Sequence, residues 1–228
     1  MKIATLHSWP RTPKTAIVLQ KRLAPRVHLC PLPDGLQLLA GADAAFSLDG
    51  QRVIAGVVLW DRATRSVLEQ RTASTPCHFP YVPGLLTFRE LPCILAAFRK
   101  LRTPPQAVLY DGQGLAHPRR IGIASHLGLW LGIPTIGCAK SRLLGTHDEP
   151  SSGRGAQSPL WHNGEQVGVV LRTRADVKPI FVSPGHLSDH ASAVRLTLAA
   201  TTNFRLPEPT RLAHQLVSTT RAGTAASP

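Results

Sequence analysis

The 228-residue chain lacks the features that mark membrane and disulfide-bonded secreted proteins. No apolar run approaches the roughly 20 residues of a membrane span, and residues 1–20 contain no apolar segment of the signal-peptide type. The four cysteines form no C-x-x-C pair, and no close Cys/His spacing suggests zinc. We therefore expect a cytoplasmic protein with reduced thiols, no structural zinc and no membrane partner.

Acidic residues are also scarce, because 13 Asp and Glu face 26 Lys and Arg, which gives a formal net charge of +13. Between Glu90 and Asp148 the only acid is Asp111, although several Lys and Arg fall in the same span. A basic surface with rare acids is typical of proteins that bind a phosphate polyanion. An Arg-rich composition would explain the charge, but not the isolation of Asp111.

Asp111 follows a short apolar, β-prone segment, residues 107–110, and precedes a helical pattern over residues 118–131. We therefore expect Asp111 at the carboxyl end of a strand, where ligands gather in α/β sheets. Gly112 and Gly114 would let a ligand approach the backbone, since neither has a Cβ. The alternative is that Asp111 merely ends the strand and stabilises a turn.

Three strands joined by short turns are predicted upstream, over residues 38–46, 52–60 and 66–73. Together they form an antiparallel meander. Asp43 lies at the middle of the first strand, and burial of an unpaired carboxylate is costly. Asp43 therefore needs a cation, a set of hydrogen-bond donors or a metal ion.

The loop over residues 75–83 contains the segment Phe79-Pro-Tyr-Val-Pro83, in which two prolines bracket Tyr81. A rigid aromatic side chain on a basic protein can stack on bases or wedge between them. The alternative is that Tyr81 anchors the loop in the core.

A helix is predicted over residues 85–101, with Glu90 near its N-terminus, where a carboxylate is stabilised. The pattern Thr87-x-x-Glu90 also matches a capping box, which is the structural alternative for Glu90.

The remaining segments complete an α/β pattern. We predict a short helix over 15–22, strands over 134–139, 166–172 and 178–182, a surface loop over 145–164, and helices over 186–200 and 207–216. Residues 1–216 are predicted to form a single domain, and residues 217–228 a disordered tail.

The chain carries Asp43 on a meander, then Glu90 near the N-terminus of a helix, then Asp111 at the end of a parallel strand. Ribonuclease H-like nucleases present their carboxylates in this order. Three such carboxylates can converge on one or two divalent cations. Six motifs strengthen this interpretation: Gly41–Asp43, Phe79–Glu90, Asp111–Gly114 with His117–His126, Pro134–Lys140, Ser183–His186 and Arg205–Arg211. In order and in content they resemble the endonuclease V family, the deoxyinosine-directed repair nucleases, over about residues 10–216.

The resemblance implies an α/β, ribonuclease H-like fold, in which helices flank a mixed central sheet of a three-strand antiparallel meander plus parallel strands. It implies that Asp43 and Asp111 are the principal ligands of Mg²⁺, for which Mn²⁺ can substitute. Glu90 would complete the site directly or through water. Lys140 would offset the charge on the scissile phosphate, and His214 would orient water or metal, although a lone helical histidine is more often structural.

The resemblance also implies a substrate-binding surface. The segment Pro80-Tyr81-Val82-Pro83 matches a wedge that fills the gap left by a flipped base. The base pocket and its surroundings would be formed by Gly84, Leu86, Gly112, Gly114, Ile123, Gly137 and Ala139, with His117 and Arg119 completing the DNA-binding set. The implied reaction is hydrolysis of the second phosphodiester bond 3′ to deoxyinosine, which leaves a nick.

Three alternatives stay open at this point. A non-catalytic module could bind inosine-containing strands, although it would gain nothing from keeping three acids against phosphate. The same chemistry could act on inosine in RNA, which contacts to the 2′-hydroxyl would distinguish. A ribonuclease H-like resolvase would act as a dimer, but no dimerisation segment is evident, so we expect a monomer and infer no protein partner.

Overall fold

An eight-stranded sheet forms the centre of the computed structural model, which describes residues 1–225. The strands are β1 (Leu38–Phe46), β2 (Arg52–Asp61), β3 (Ser66–Pro76), β4 (Ala107–Tyr110), β5 (Thr135–Ala139), β6 (Gln157–His162), β7 (Glu165–Leu171) and β8 (Ile180–Pro184). The helices are α1 (Pro13–Leu23), α2 (Thr87–Arg99), α3 (Ile123–Leu131), α4 (His190–Ala199) and α5 (Glu208–Ala225). No helix among these residues is long and apolar enough to cross a membrane.

The strand order is β3-β2-β1-β4-β5-β8-β7-β6. Strands β1 to β3 form the predicted antiparallel meander, and β4 and β5 run parallel to β1, also as predicted. The register places Ala42 beside Tyr110 and Tyr110 beside Gly137. The carboxyl ends of β4 and β5 therefore lie level with the middle of β1. Asp111, directly after β4, and Asp43, within β1, come together at this edge of the sheet.

Helices cover both faces of the sheet. Helices α2 and α3 pack on one face, which carries Val108 and Tyr110 of β4, whereas Ala107 and Leu109 belong to the core on the opposite face. This alternation is expected of a central strand that is buried on both sides. Helix α5 packs along β1 and β2. Acids on β1 and β4 can therefore receive partners from both helical layers.

The N-terminal segment supports the predicted wedge loop. Helix α1 packs Leu19 and Leu23 in one cluster with Phe79 and Phe88. Phe79 thus anchors the loop in the core, and Tyr81 is 69 % exposed. The alternative role of Tyr81 as a core anchor is wrong.

Three predicted boundaries are corrected. Helix α3 begins at Ile123 rather than at residue 118, because Arg120 takes a left-handed conformation (φ 57°) and Gly122 caps the helix. Helix α4 begins at His190, where the Asp189 side chain accepts a hydrogen bond from the Ser192 amide. The predicted loop over 145–164 contains β6, which pairs with β7.

The predicted disordered tail is wrong over residues 217–225. Helix α5 continues through this stretch to Ala225. Val217 is 1 % exposed and packs over Gly56 of β2, so the apolar face of the helix extends beyond the predicted end. Residues 226–228 lie outside the described residues.

Replacement of Gly41 by alanine should destabilise the fold, because the new Cβ would lie 1.9 Å from the Pro209 carbonyl oxygen at the start of α5. We expect a loss of about 3 kcal/mol, at the upper end for overpacking, because the obstacle is backbone. Denaturant unfolding should measure it. Gly153→Ala is the control, since no atom lies within 4 Å of its added Cβ. Equal stability of the two variants would contradict the packing.

Candidate active site

Asp111 and Lys140 form an ion pair at the carboxyl edge of the sheet. Asp111 directly follows β4 and Lys140 directly follows β5, so the parallel register brings them together. The Lys140 Nζ lies 2.5 Å from the Asp111 Oδ2. The prediction that Asp111 lies at a strand end is confirmed. The Lys140 ammonium places a positive charge next to the Asp111 carboxylate.

Asp43 has its partner on the opposite helical layer. The His214 imidazole of α5 donates from Nδ1 to the Asp43 Oδ2 over 2.8 Å. Burial raises the pKa of Asp43, the hydrogen bond from His214 lowers it, and the charge of Asp111 raises it again. The structure therefore brings His214 to the acidic site.

Glu90 is buried beneath these two acids on α2. The Tyr110 hydroxyl donates to its Oε2 over 2.9 Å. Burial raises the pKa of Glu90 to about 8, the Tyr110 hydrogen bond opposes this, and the charge of Asp43 adds to it. Tyr110 was not among the predicted site residues, although its place next to Asp111 on a β-prone segment was the available signal.

The capping-box alternative for Glu90 is wrong. Helix α2 has Leu86 as its N-cap and no side-chain capping bond. The Thr87 hydroxyl lies instead 3.3 Å from the Nδ1 of buried His126. Glu90 therefore points to β4 and the acidic edge rather than to the backbone of its own helix.

A cleft at this edge, the Asp43 cleft, is lined by Asp43, Asp111, Lys140 and His214 together with residues of β1 and α5. Carboxylate oxygens suit a hard divalent cation. Within the described residues, however, no three His, Cys, Asp or Glu side chains converge closely enough to hold a metal ion as they stand. Asp43 and Asp111 thus provide oxygen ligands that suit a divalent cation. Asp111 is paired with Lys140, and Glu90 is hydrogen-bonded to Tyr110.

A second depression, the Tyr81 cavity, adjoins the Asp43 cleft. Its volume is about 370 Å³, within the range of small-ligand sites. The predicted residues that line it are Tyr81, Val82, Pro83, Gly84, Leu86, Gly112, His117, Ile123 and Ala139. Asp111 and Lys140 line both the cavity and the Asp43 cleft.

Four predicted binding residues do not line the cavity: Pro80, Gly114, Gly137 and Arg119. A Cβ at Gly114 would lie 2.1 Å from the Pro184 carbonyl oxygen, and one at Gly137 would lie 2.5 Å from that of Gly112. These two glycines allow the strands and the loop to close beneath the cavity. Their contribution is therefore to its construction.

His117 and Arg119 hold the rim at Gly84, which has a φ of 77°. The Arg119 amide donates to the His117 Nδ1, so the ring proton lies on Nε2 and is donated to the Gly84 carbonyl over 2.9 Å. Burial lowers the pKa of His117 to about 4, which keeps the ring neutral. The Arg119 guanidinium donates to the same carbonyl over 2.8 Å and to Gln20.

Comparison with known proteins decides the family. The family model described as Endonuclease V matches residues 21–215. The endonuclease V of Nostoc punctiforme is 47 % identical over 219 residues, which cover 96 % of this chain and 99 % of that protein.

The chain belongs to the endonuclease V family.

Solved structures of endonuclease V proteins share the fold of this chain. The endonuclease V of Streptomyces avermitilis is 43 % identical, with a TM-score of 0.92 over 96 % of this chain and 97 % of that chain. A Ciona intestinalis endonuclease V, in complex with a 23-mer DNA containing an inosine followed by a ribo-adenosine, has a TM-score of 0.82. It is 23 % identical and covers 93 % of this chain and 99 % of that chain. The fold is ribonuclease H-like, as predicted.

Two side chains that lie in the motifs, but were not among the predicted site residues, position the Lys140 loop of this endonuclease V family chain. The Gln113 side-chain amide donates to the Ser141 carbonyl over 3.0 Å, and the Arg205 guanidinium donates to the Lys140 carbonyl over 2.8 Å. Both bonds go to backbone atoms, which carry no sequence signal. The position of the Lys140 ammonium thus depends on two distant segments.

Glu90→Gln should stabilise the metal-free protein at high pH. The folded protein keeps a proton up to about pH 8 that the unfolded chain releases near pH 4.5, so wild-type stability falls as the pH rises between them. Glutamine keeps an acceptor for Tyr110 without this cost. We expect a gain on the order of a few kcal/mol near pH 8, which vanishes near pH 4.5.

The gain should be measured by calorimetric unfolding in EDTA at both pH values. Cleavage activity of the same variant should be lost, since Glu90 is a predicted ligand. A stability difference that is equal at both pH values would contradict the burial of an ionisable group at position 90.

Proposed function

We propose that this chain is a divalent-metal-dependent endonuclease that recognises deoxyinosine in DNA and hydrolyses the second phosphodiester bond on its 3′ side. The observation that carries this proposal is the adjacency of the Tyr81 cavity and the Asp43 cleft, which share Asp111 and Lys140. A base inserted into the cavity leaves its own strand running over those two residues. The phosphates that follow the base then reach the acids.

Recognition of the base rests on shape and on backbone groups. The cavity is lined by glycines, aliphatic side chains and few charges, which suits a neutral, flat heterocycle. Hypoxanthine lacks the exocyclic amine of adenine and guanine, and a poorly paired base costs least to flip. Tyr81, which is exposed between Pro80 and Pro83, would occupy the vacated position in the duplex.

The residues of the Asp43 cleft have different chemical roles. Mg²⁺ held by Asp43 and Asp111, with Mn²⁺ as a substitute, would supply an activated water and a Lewis acid. The Lys140 ammonium offsets negative charge that develops on the phosphate in contact with it. The His214 N–H fixes the orientation of the Asp43 carboxylate, and Tyr110 does the same for Glu90.

DNA is the substrate that the available observations favour. The related Ciona protein was solved with a 23-mer DNA in which a ribo-adenosine follows the inosine, and its fold matches this chain over nearly its whole length. The net charge of +13 suits a polyanion but does not distinguish DNA from RNA. Discrimination between the two polymers depends on contacts to the 2′-hydroxyl, so an RNA substrate is one arm of the test.

The proposal predicts a nick one nucleotide beyond the lesion that depends on both metal and Asp43. An end-labelled duplex with one deoxyinosine should be cut with Mg²⁺, uncut with EDTA, and uncut by Asp43→Ala. The loss should exceed the roughly 100-fold that removal of an outer-shell partner costs. Asp148→Ala is the matched control, because Asp148 is exposed and lies outside the cleft.

Other outcomes identify the alternatives. Cleavage of an inosine RNA of matched sequence alone would keep the mechanism and reject DNA as the substrate. Tight binding to inosine strands without a nick on either polymer would favour a non-catalytic binding module. Undiminished cleavage by Asp43→Ala would remove Asp43 from the metal site.

Tyr81→Ala should weaken binding to a deoxyinosine duplex by about 1–3 kcal/mol, the scale of one aromatic stacking contact, and should weaken binding to an undamaged duplex much less. Fluorescence anisotropy in EDTA on both duplexes gives the ratio. Leu68→Ala on edge strand β3 is the control, because Leu68 is an exposed apolar side chain (52 %) outside the cavity. Equal losses on both duplexes would reject the wedge.

A further inference from the structure

A third depression continues from the Asp43 cleft on the side away from the Tyr81 cavity. This Arg221 groove is lined by Ser47, Leu48, Asp49, Arg52, Ile54, Ser74 and Arg221. It shares Leu48 and Arg221 with the Asp43 cleft, just as the cleft shares Asp111 and Lys140 with the Tyr81 cavity. The three depressions therefore form one continuous path across the carboxyl edge of the sheet.

One wall of this path lies beyond the part of the chain that the family model matches. The match ends at residue 215. The following turns of α5 contribute Val217, Ser218, Arg221 and Ala222 to the Asp43 cleft. Buried Val217 fixes this part of the helix against β2, so Ser218 and Arg221 are held at the cleft by packing.

We propose that the Arg221 groove binds the nucleic-acid backbone on the 3′ side of the cut, with Arg221 and Arg52 as the phosphate-binding residues. This inference rests on the proposed function and adds a contact outside the lesion and the scissile bond. The order of the depressions sets the polarity. If the lesion occupies the Tyr81 cavity and the bond 3′ to it lies at Asp43 and Asp111, then the strand continues into the Arg221 groove.

The chemistry of the groove fits a phosphodiester chain. The Arg52 guanidinium donates to the Ser74 hydroxyl and carbonyl over 3.0 and 3.2 Å, which fixes its direction. The single acid, Asp49, accepts hydrogen bonds from the Ser47 hydroxyl and the Gln51 amide, so its carboxylate is engaged within the β1–β2 turn. The charged side chains that line the groove are two guanidinium groups and one carboxylate, so their formal charge is positive.

Truncation of the substrate on one side of the cut tests the proposal. Deoxyinosine duplexes would carry full flanks, a 3′ flank that ends just past the cut, or a 5′ flank that ends just before the lesion. Binding is measured by anisotropy in EDTA, and cleavage by kcat/KM with Mg²⁺. Wild type, Arg221→Ala, Arg221→Glu and Arg52→Ala are compared with Arg102→Ala, an exposed arginine that precedes β4 at the opposite edge.

Arg221→Ala and Arg52→Ala should each weaken binding of the full duplex about fivefold, the size of an exposed charge pair. Each should lower the slope of log K against log salt concentration by about 1. Arg221→Glu should lose more, and Arg102→Ala should match wild type. On the duplex without a 3′ flank, wild type and the groove variants should bind equally, whereas loss of the 5′ flank should leave their difference intact.

Two results would overturn the inference while the proposed function stands. In the first, the wild type nicks deoxyinosine DNA, but the binding deficit of the groove variants persists on the duplex without the 3′ flank. In the second, this deficit disappears when the 5′ flank is removed instead, which would reverse the polarity. Failure of wild type to nick any inosine substrate would overturn the proposed function and the inference with it. Circular dichroism of Arg221→Ala confirms that α5 is intact, since alanine favours a helix.

Discussion

Mutual repulsion among Asp43, Glu90 and Asp111 is the constraint on which the site depends. Burial is the main cause of the raised pKa of Glu90 and of Asp43. The charges of Asp43 and Asp111 raise the pKa of Glu90 further, and the charge of Asp111 raises the pKa of Asp43 further. Each acid has one partner that offsets this repulsion, and the partners are of three chemical types. Lys140 supplies a full charge to Asp111, His214 an N–H to Asp43, and Tyr110 a hydroxyl to buried Glu90. Glu90, the most buried of the three acids, has a neutral hydroxyl as its partner.

Because each acid has a different partner, the site draws side chains from both faces of the sheet. Alternation along β4 directs Tyr110 to the α2 layer, whereas Asp43 on β1 meets His214 from α5. The close approach of α5 to β1 requires a glycine at position 41, since any Cβ there would collide with the Pro209 carbonyl. The same condition holds at Gly114 and Gly137 beneath the Tyr81 cavity. Several glycines of the family motifs therefore act through packing rather than through contact with a ligand.

The sequence was informative where function depends on strand ends and on residue type. The meander, the parallel strands and the convergence of Asp43 and Asp111 follow from alternation, turn residues and isolated acids. Strand β6 was missed because Pro159 and a polar surrounding weaken its pattern, although Asn163-Gly164 is a strong hairpin signal. The capping-box alternative was wrong because tertiary partners, Tyr110 for Glu90 and His126 for Thr87, outcompete the local motif. The bonds of Gln113 and Arg205 to the Lys140 loop end on backbone carbonyls, which no residue pattern records.

The error at the C-terminus has the largest functional consequence. A small, polar composition after residue 217 predicts disorder when local sequence alone is considered. Val217, however, repeats the apolar spacing of α5 and fills the space above Gly56, so one buried side chain carries the helix past the family match. Once the helix continues, Ser218 and Arg221 line the Asp43 cleft without any further requirement. Arg221 thus gains a defined position beside the acids through packing. The same arginine on a flexible segment would have offered only diffuse charge.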